Sequence, residues 1–155
     1  MKPLIIYFTT TYNTAKVVNL MEEVLGCEKE LLRPIDPYID NVMDRSKMEI
    51  ETGMATEIHP LTHRLGDFDT VILATPVWWL NASSPVIALI RSGVLKGKDV
   101  YPVITTGFDV NGVEEKIDDM LLGSKIHKAL IVPFENAFLS KGNEEMIKEY
   151  SKNIR

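Results

Sequence analysis

Short runs of apolar, β-branched residues recur along this chain, each separated from the next by a segment long enough for a helix. A strand that is apolar on both faces must be buried on both, and that happens when crossover helices cover a parallel sheet. Residues 3–8, 70–74, 100–105 and 128–133 are the predicted strands, and 27–32 is a fifth whose Glu28, Lys29 and Glu30 suit a sheet edge. Between them, Val17, Leu20, Met21 and Val24 make one apolar stripe on a helix over 13–25, with Gly26 as its stop. Ser83 and Ser84 read as a cap, with Pro85 at the first helical position of a segment that runs to Arg91 and stops at Gly93. Helices are also expected over 113–122 and 143–153. The stretch 33–67 has no clear period and is predicted to hold one short helix around 44–54. There is no repeat or linker composition, so the expectation is one α/β domain over 1–155: a doubly wound, five-stranded parallel sheet.

Composition narrows the function classes. The chain has 155 residues, enough for a core that hides roughly 68–70% of the unfolded surface without disulfides or a structural metal. One cysteine, Cys27, excludes a disulfide scaffold, and no Cys/His cluster suggests zinc. The first apolar run ends at three threonines, short of the ~7–15 residues of a signal-peptide core. No run approaches the ~18 of a membrane span, so a cytoplasmic location without membrane insertion is predicted. Seventeen basic against 22 acidic side chains give a formal charge of -5 with no Lys/Arg stripe, which argues against a nucleic-acid partner.

In such a sheet, ligands sit at the carboxyl ends of the strands, so function is read in the loops that leave them. The first is Thr9-Thr10-Thr11-Tyr12-Asn13-Thr14, where hydroxyls, an amide and the open N–H groups of a helix start converge; neutral donors and the helix dipole can bind a phosphate there without a lysine. Plain capping by Asn13 or Thr14 is the simpler account of any single hydroxyl. Neither the Gly-Lys-Ser/Thr of a triphosphate loop nor GxGxxG follows Phe8, and no acidic cluster of a phosphoryl-accepting receiver is present.

Thr9-x-Thr11-x-Asn13-Thr14 resembles the Ser/Thr-x-Thr-Gly-Asn-Thr phosphate loop of flavodoxins. The segment from Asp67 through Thr75-Pro76-Val77-Trp78-Trp79 is similar to the Tyr-Asp … Pro-Ile-Trp-Trp segment of a flavodoxin-like subfamily, and Lys96-Gly97-Lys98 through Thr105-Thr106-Gly107 resembles its Gly-Lys … Thr-x-Gly segment. The resemblance implies a flavodoxin-like fold with strand order 2-1-3-4-5 and FMN as cofactor, its phosphate in the first loop and its ring between the second and third. The cofactor-binding residues it implies are Thr9, Thr10, Thr11, Tyr12, Asn13 and Thr14; Pro76, Val77, Trp78 and Trp79; and Thr105, Thr106 and Gly107.

The residues read alone agree with part of this. Neighbouring tryptophans on a strand face opposite ways, so one of Trp78 and Trp79 is expected in the core and the other against a flat ring. Thr105, Thr106 and Gly107 offer backbone N–H groups to such a ring, although a plain glycine turn explains them equally well, and Phe108 is a further candidate contact. Two positions depart from the family. Tyr12 stands where the motif has glycine, and a positive φ there would strain it by ~1–3 kcal/mol. The third loop, from Gly107 to Gly112, lacks a second adjacent glycine. His59, His63 and His127 are expected in structural or surface roles, and no metal site or acid–base dyad is predicted. Glu114, Glu115, Asp118 and Asp119 gather on the helix after the third loop, either as a solvated face or as a docking patch for a basic redox partner.

The expected function is FMN-dependent electron transfer to a redox partner protein or a small quinone. The alternatives are an FMN-dependent NAD(P)H quinone or flavin reductase and a non-redox module that has lost FMN binding.

Overall fold

Leu4, Ile5, Ile6 and Tyr7 make the central strand β1 (Leu4–Tyr7), and alternation sends Leu4 and Ile6 into one apolar cluster and Ile5 and Tyr7 into another. This double burial is why the run is apolar throughout. The computed structural model describes residues 2–154. Beyond β1 the chain forms α1 (Asn13–Leu25), β2 (Glu28–Leu31), α2 (Val42–Thr52), a 3-10 turn (Leu65–Asp67) and β3 (Thr70–Trp78). It continues through β4 (Asn81–Ala82), α3 (Ser84–Arg91), β5 (Asp99–Thr106), α4 (Val113–Met120), β6 (Lys125–Ile126), β7 (Leu130–Pro133) and α5 (Lys141–Lys152).

The parallel sheet runs β2-β1-β3-β5, and β6 and β7 both pair with β5, at its start and its end respectively. With β6 and β7 taken as one interrupted edge strand, the order is the expected 2-1-3-4-5. Pro102, which has no N–H to donate, lies on β5 between the two halves. One face of the sheet packs on Val17, Val18 and Met21 of α1 and Ile147 of α5. The other packs on Val86, Leu89 and Ile90 of α3, on Val113 and Ile117 of α4, and on Tyr38, Val42 and Ile50 from the stretch before β3. The fold is thus a doubly wound α/β sheet.

Two features go beyond the sequence reading. β3 continues past Ala74 to Trp78 and folds back through a two-residue turn into β4, pairing Trp78 with Asn81. The stretch between β2 and β3 is anchored by buried carboxylates as well as by scattered apolar side chains. Glu30 of β2 accepts bonds from the Thr62 and His63 backbone N–H groups (2.7 and 2.8 Å) and from the Thr62 hydroxyl (3.0 Å), with His63 Nδ1 at 2.6 Å. Burial alone would push its carboxyl up, but these bonds to the ionised form hold it below the ordinary carboxylate range. Glu49 of α2 accepts from the Tyr38 hydroxyl at 2.5 Å, while the Arg45 guanidinium lies 3.9 Å over the Tyr38 ring. Burial, then the Glu49 bond, pushes the Tyr38 phenol up to about 12. His127, stacked on Tyr101 with centroids 4.0 Å apart, bonds Asp99 at 2.7 Å. Both partnered histidines thus hold the fold together. Among the described residues no helix is long and apolar enough to cross a membrane.

Candidate functional site

The carboxyl ends of β1, β3, β5 and β7 open onto a cleft of about 770 Å³. All three loops singled out in the sequence reach it: Thr10, Thr11 and Asn13 from the first, Pro76 to Trp79 from the second, and Thr105 to Gly107 from the third. Thr9, Tyr12 and Thr14 do not line it. Two walls were not foreseen. Phe134, Glu135 and Asn136, just after β7, form a fourth loop, and Val42, Met43 and Ser46 of α2 close the side facing Trp79. The strand-end rule could have found the fourth loop. Nothing in the aperiodic stretch 33–67 marks the α2 wall, because its position depends on contacts distant in sequence.

In the first loop Tyr12 adopts φ 67 and ψ -1, the left-handed conformation that glycine would take more easily. Its side chain is 71% exposed. No side chain caps α1, so the simple capping account of Asn13 and Thr14 does not hold. The Thr14 hydroxyl instead meets that of Thr105 at 2.7 Å and ties the first loop to the third. Asn13 Nδ2 donates to the Asn136 carbonyl at 3.3 Å, tying the first loop to the fourth. Among the described residues the buried side-chain polar atoms left without a partner are Thr9 Oγ1 and Asn13 Oδ1, both in this loop. Buried polar atoms are nearly always bonded, so these two mark the points in the loop where a water or a polar ligand would bond. A hydroxyl can donate to a phosphate oxygen, and an amide carbonyl can accept from a sugar-like hydroxyl.

The tryptophan pair divides between core and surface, although the cause is not strand alternation: Trp78 ends β3 and Trp79 stands past it in the turn. Trp78 is 8% exposed and packs edge-on to Phe8 and Tyr38, with centroids 5.6 and 5.0 Å away, whereas Trp79 is 41% exposed. Trp79 and Leu80 form the turn between β3 and β4, and both have positive φ, 52 and 58. That is the requirement of a type I′ hairpin turn, where Asn-Gly is preferred, and bulky residues there cost roughly 1–3 kcal/mol each. The turn is braced from two helices: Trp79 Nε1 donates to Ser46 Oγ of α2 at 2.9 Å, and Lys116 Nζ of α4 donates to the Leu80 carbonyl at 2.8 Å.

In the third loop the Thr106 hydroxyl accepts from the Phe108 N–H at 3.0 Å and faces its carbonyl at 2.9 Å, closing the bend around Gly107. Phe108 is left 92% exposed at the cleft mouth. With Asn136 (φ 58), every non-glycine residue of positive φ among those described, Tyr12, Trp79, Leu80 and Asn136, lies on a loop at this cleft. Strain kept in that pattern marks a site whose geometry matters more than local stability. Nearby, burial and then the charges of Glu114, Asp119 and Glu115 push the Asp118 carboxyl up.

The fold recurs in solved structures. A candidate flavoprotein from Bacteroides uniformis ATCC 8492 is similar over 98% of both chains, with a TM-score of 0.83 at 24% identity. A flavoprotein from Lactobacillus acidophilus NCFM, solved in complex with FMN, gives a TM-score of 0.73 at 16% identity over 84% of this chain and 92% of that one. The apo form of an NADH:FMN oxidoreductase gives 0.60 at 12% identity over 98% of this chain and 87% of its own. At such identities the likeness is one of fold. No curated protein matches the chain in sequence. The flavodoxin family profile, however, matches residues 2–148, a span that holds β1 through most of α5 and every loop at the cleft. On that match the chain belongs to the flavodoxin family.

Proposed function

We propose that the chain binds FMN and serves as an electron-transfer protein. The observation that carries this reading is the buried, unpartnered pair Thr9 Oγ1 and Asn13 Oδ1 at the start of α1, in a loop whose Thr10, Thr11 and Asn13 line the cleft. The loop and the helix start would hold the phosphate through neutral donors. Trp79 supplies a flat apolar surface for the ring, and the β5 loop supplies backbone donors toward its polar edge. Bound FMN supplies the redox chemistry, accepting and releasing electrons one or two at a time; the protein supplies binding, orientation and exclusion of water. Tyr12 does not oppose this reading, since its backbone already has the left-handed shape a glycine would give.

If phosphate capture dominates recognition, Thr10→Ala and Thr11→Ala, both on the cleft lining, weaken FMN by roughly tenfold each, about the worth of one charge-assisted hydrogen bond, and leave riboflavin nearly unchanged. Calorimetric titration with both ligands checks this, and equal losses for both would refute it. The α2 wall supports a second reading, an FMN-dependent reductase, because Val42 and Met43 add an apolar side to the cleft on which a small substrate could rest. Rapid, saturable turnover of NADH or NADPH with a quinone by the isolated chain selects that reading over the carrier.

A further inference from the structure

We propose that Ser46, on a helix the family motifs do not include, is a positioning residue that fixes the Trp79 indole as the aromatic wall of the flavin site. The inference rests on the flavin reading above. Ser46 is 3% exposed, in the middle of α2, where serine has no advantage in helix propensity. Its hydroxyl donates to the Met43 carbonyl at 3.1 Å, which leaves its lone pairs to accept the Trp79 Nε1–H at 2.9 Å. Both bonding capacities of the hydroxyl are therefore used, and one of them fixes a side chain that stands on a strained two-residue turn.

Without that anchor, a 41% exposed indole on such a turn would keep only a loose contact with the Lys47 ammonium, 5.8 Å from its ring centroid, and a ligand would have to order it on binding. With it, the ring is held before any ligand arrives. The anchor lies on the stretch between β2 and β3, so the Tyr38–Glu49–Arg45 network that holds α2 in place also holds the aromatic wall. The Lys116 bond to the Leu80 carbonyl fixes the backbone of the same turn but does not touch the indole, so the two braces have separable roles.

The test uses full-length protein, with lumiflavin as a probe of the ring alone and FMN as a probe of ring and phosphate. Ser46→Ala is expected to weaken both by the same factor, about three- to tenfold, the range of one net hydrogen bond. In ligand-free protein it also speeds hydrogen exchange at the Trp79 indole N–H, a resonance identified by its loss in Trp79→Phe. In the Trp79→Phe background, where a ring remains but the N–H is gone, Ser46→Ala should have no further effect on either ligand. An unchanged lumiflavin affinity in Ser46→Ala overturns the inference. So does an equal loss in the Trp79→Phe background, which would mean that Ser46 acts through α2 packing. Wild-type protein that takes up neither flavin refutes the proposed function, and this inference with it, and that result is distinct from either of the others.

Discussion

Two polar clusters in this protein differ in one respect. At the β2 edge, Glu30 is surrounded by two backbone N–H groups, a hydroxyl and an imidazole, all bonded to it. At the start of α1, Thr9 Oγ1 and Asn13 Oδ1 are equally shielded from water and bonded to nothing. The first cluster closes on itself and holds a loop to the sheet. The second is open, and its loop carries the left-handed Tyr12 and is bonded to the left-handed Asn136. A satisfied buried carboxylate contributes stability, whereas unsatisfied groups among left-handed residues lower it and are retained where a ligand completes them.

The largest effect is expected from breaking the closed cluster. Glu30→Gln should destabilise the fold by about 2–3 kcal/mol in urea denaturation, because charge-assisted bonds are lost, and should leave FMN affinity unchanged. Its pH signature follows from the lowered carboxyl. The stabilisation is complete above the unfolded value of about 4.3 and is lost as pH falls through the lower folded value. Wild-type protein should therefore lose stability below about pH 4 more steeply than Glu30→Gln does.

A smaller and opposite effect is expected at the strained loops of the cleft. Replacing Trp79-Leu80 by Asn-Gly, the preferred type I′ pair, should raise stability by about 1–2 kcal/mol while removing the aromatic wall and weakening flavin. A gain in stability together with a loss of binding would show that strain is kept there for function. Tyr12→Gly should stabilise by about 1 kcal/mol, the strain relieved less the greater unfolded-state entropy of glycine. Since Tyr12 has a left-handed backbone, as glycine would, and lies off the cleft lining, FMN affinity should barely move. A clear loss would mean that its exposed ring reaches the bound cofactor. Lys116→Met, removing one brace of the turn, should cost no more than about 1 kcal/mol in thermal unfolding.

The strands, α1 and the three motif loops were legible because each rests on local signals: a doubly buried strand must be apolar, an amphipathic helix must repeat, and a strand-end loop must carry the donors its ligand needs. α2 was legible only as a short helix expected around 44–54, found at Val42–Thr52; its role at the cleft was not. Ser46, Val42 and Met43 reach the cleft because the stretch between β2 and β3 is tied down by Glu30, Glu49 and Arg45 to partners scattered along the chain. A carboxylate's hydrogen-bond partners leave no period in a sequence. Tyr12 shows the same division. Its departure from the glycine motif was visible at once, but only the packed loop decided that the backbone would keep the left-handed turn and that the tyrosine would bear the strain. Local chemistry specified which residues could meet a phosphate and a flat ring. Long-range packing decided which groups are already bonded within the protein and which remain open.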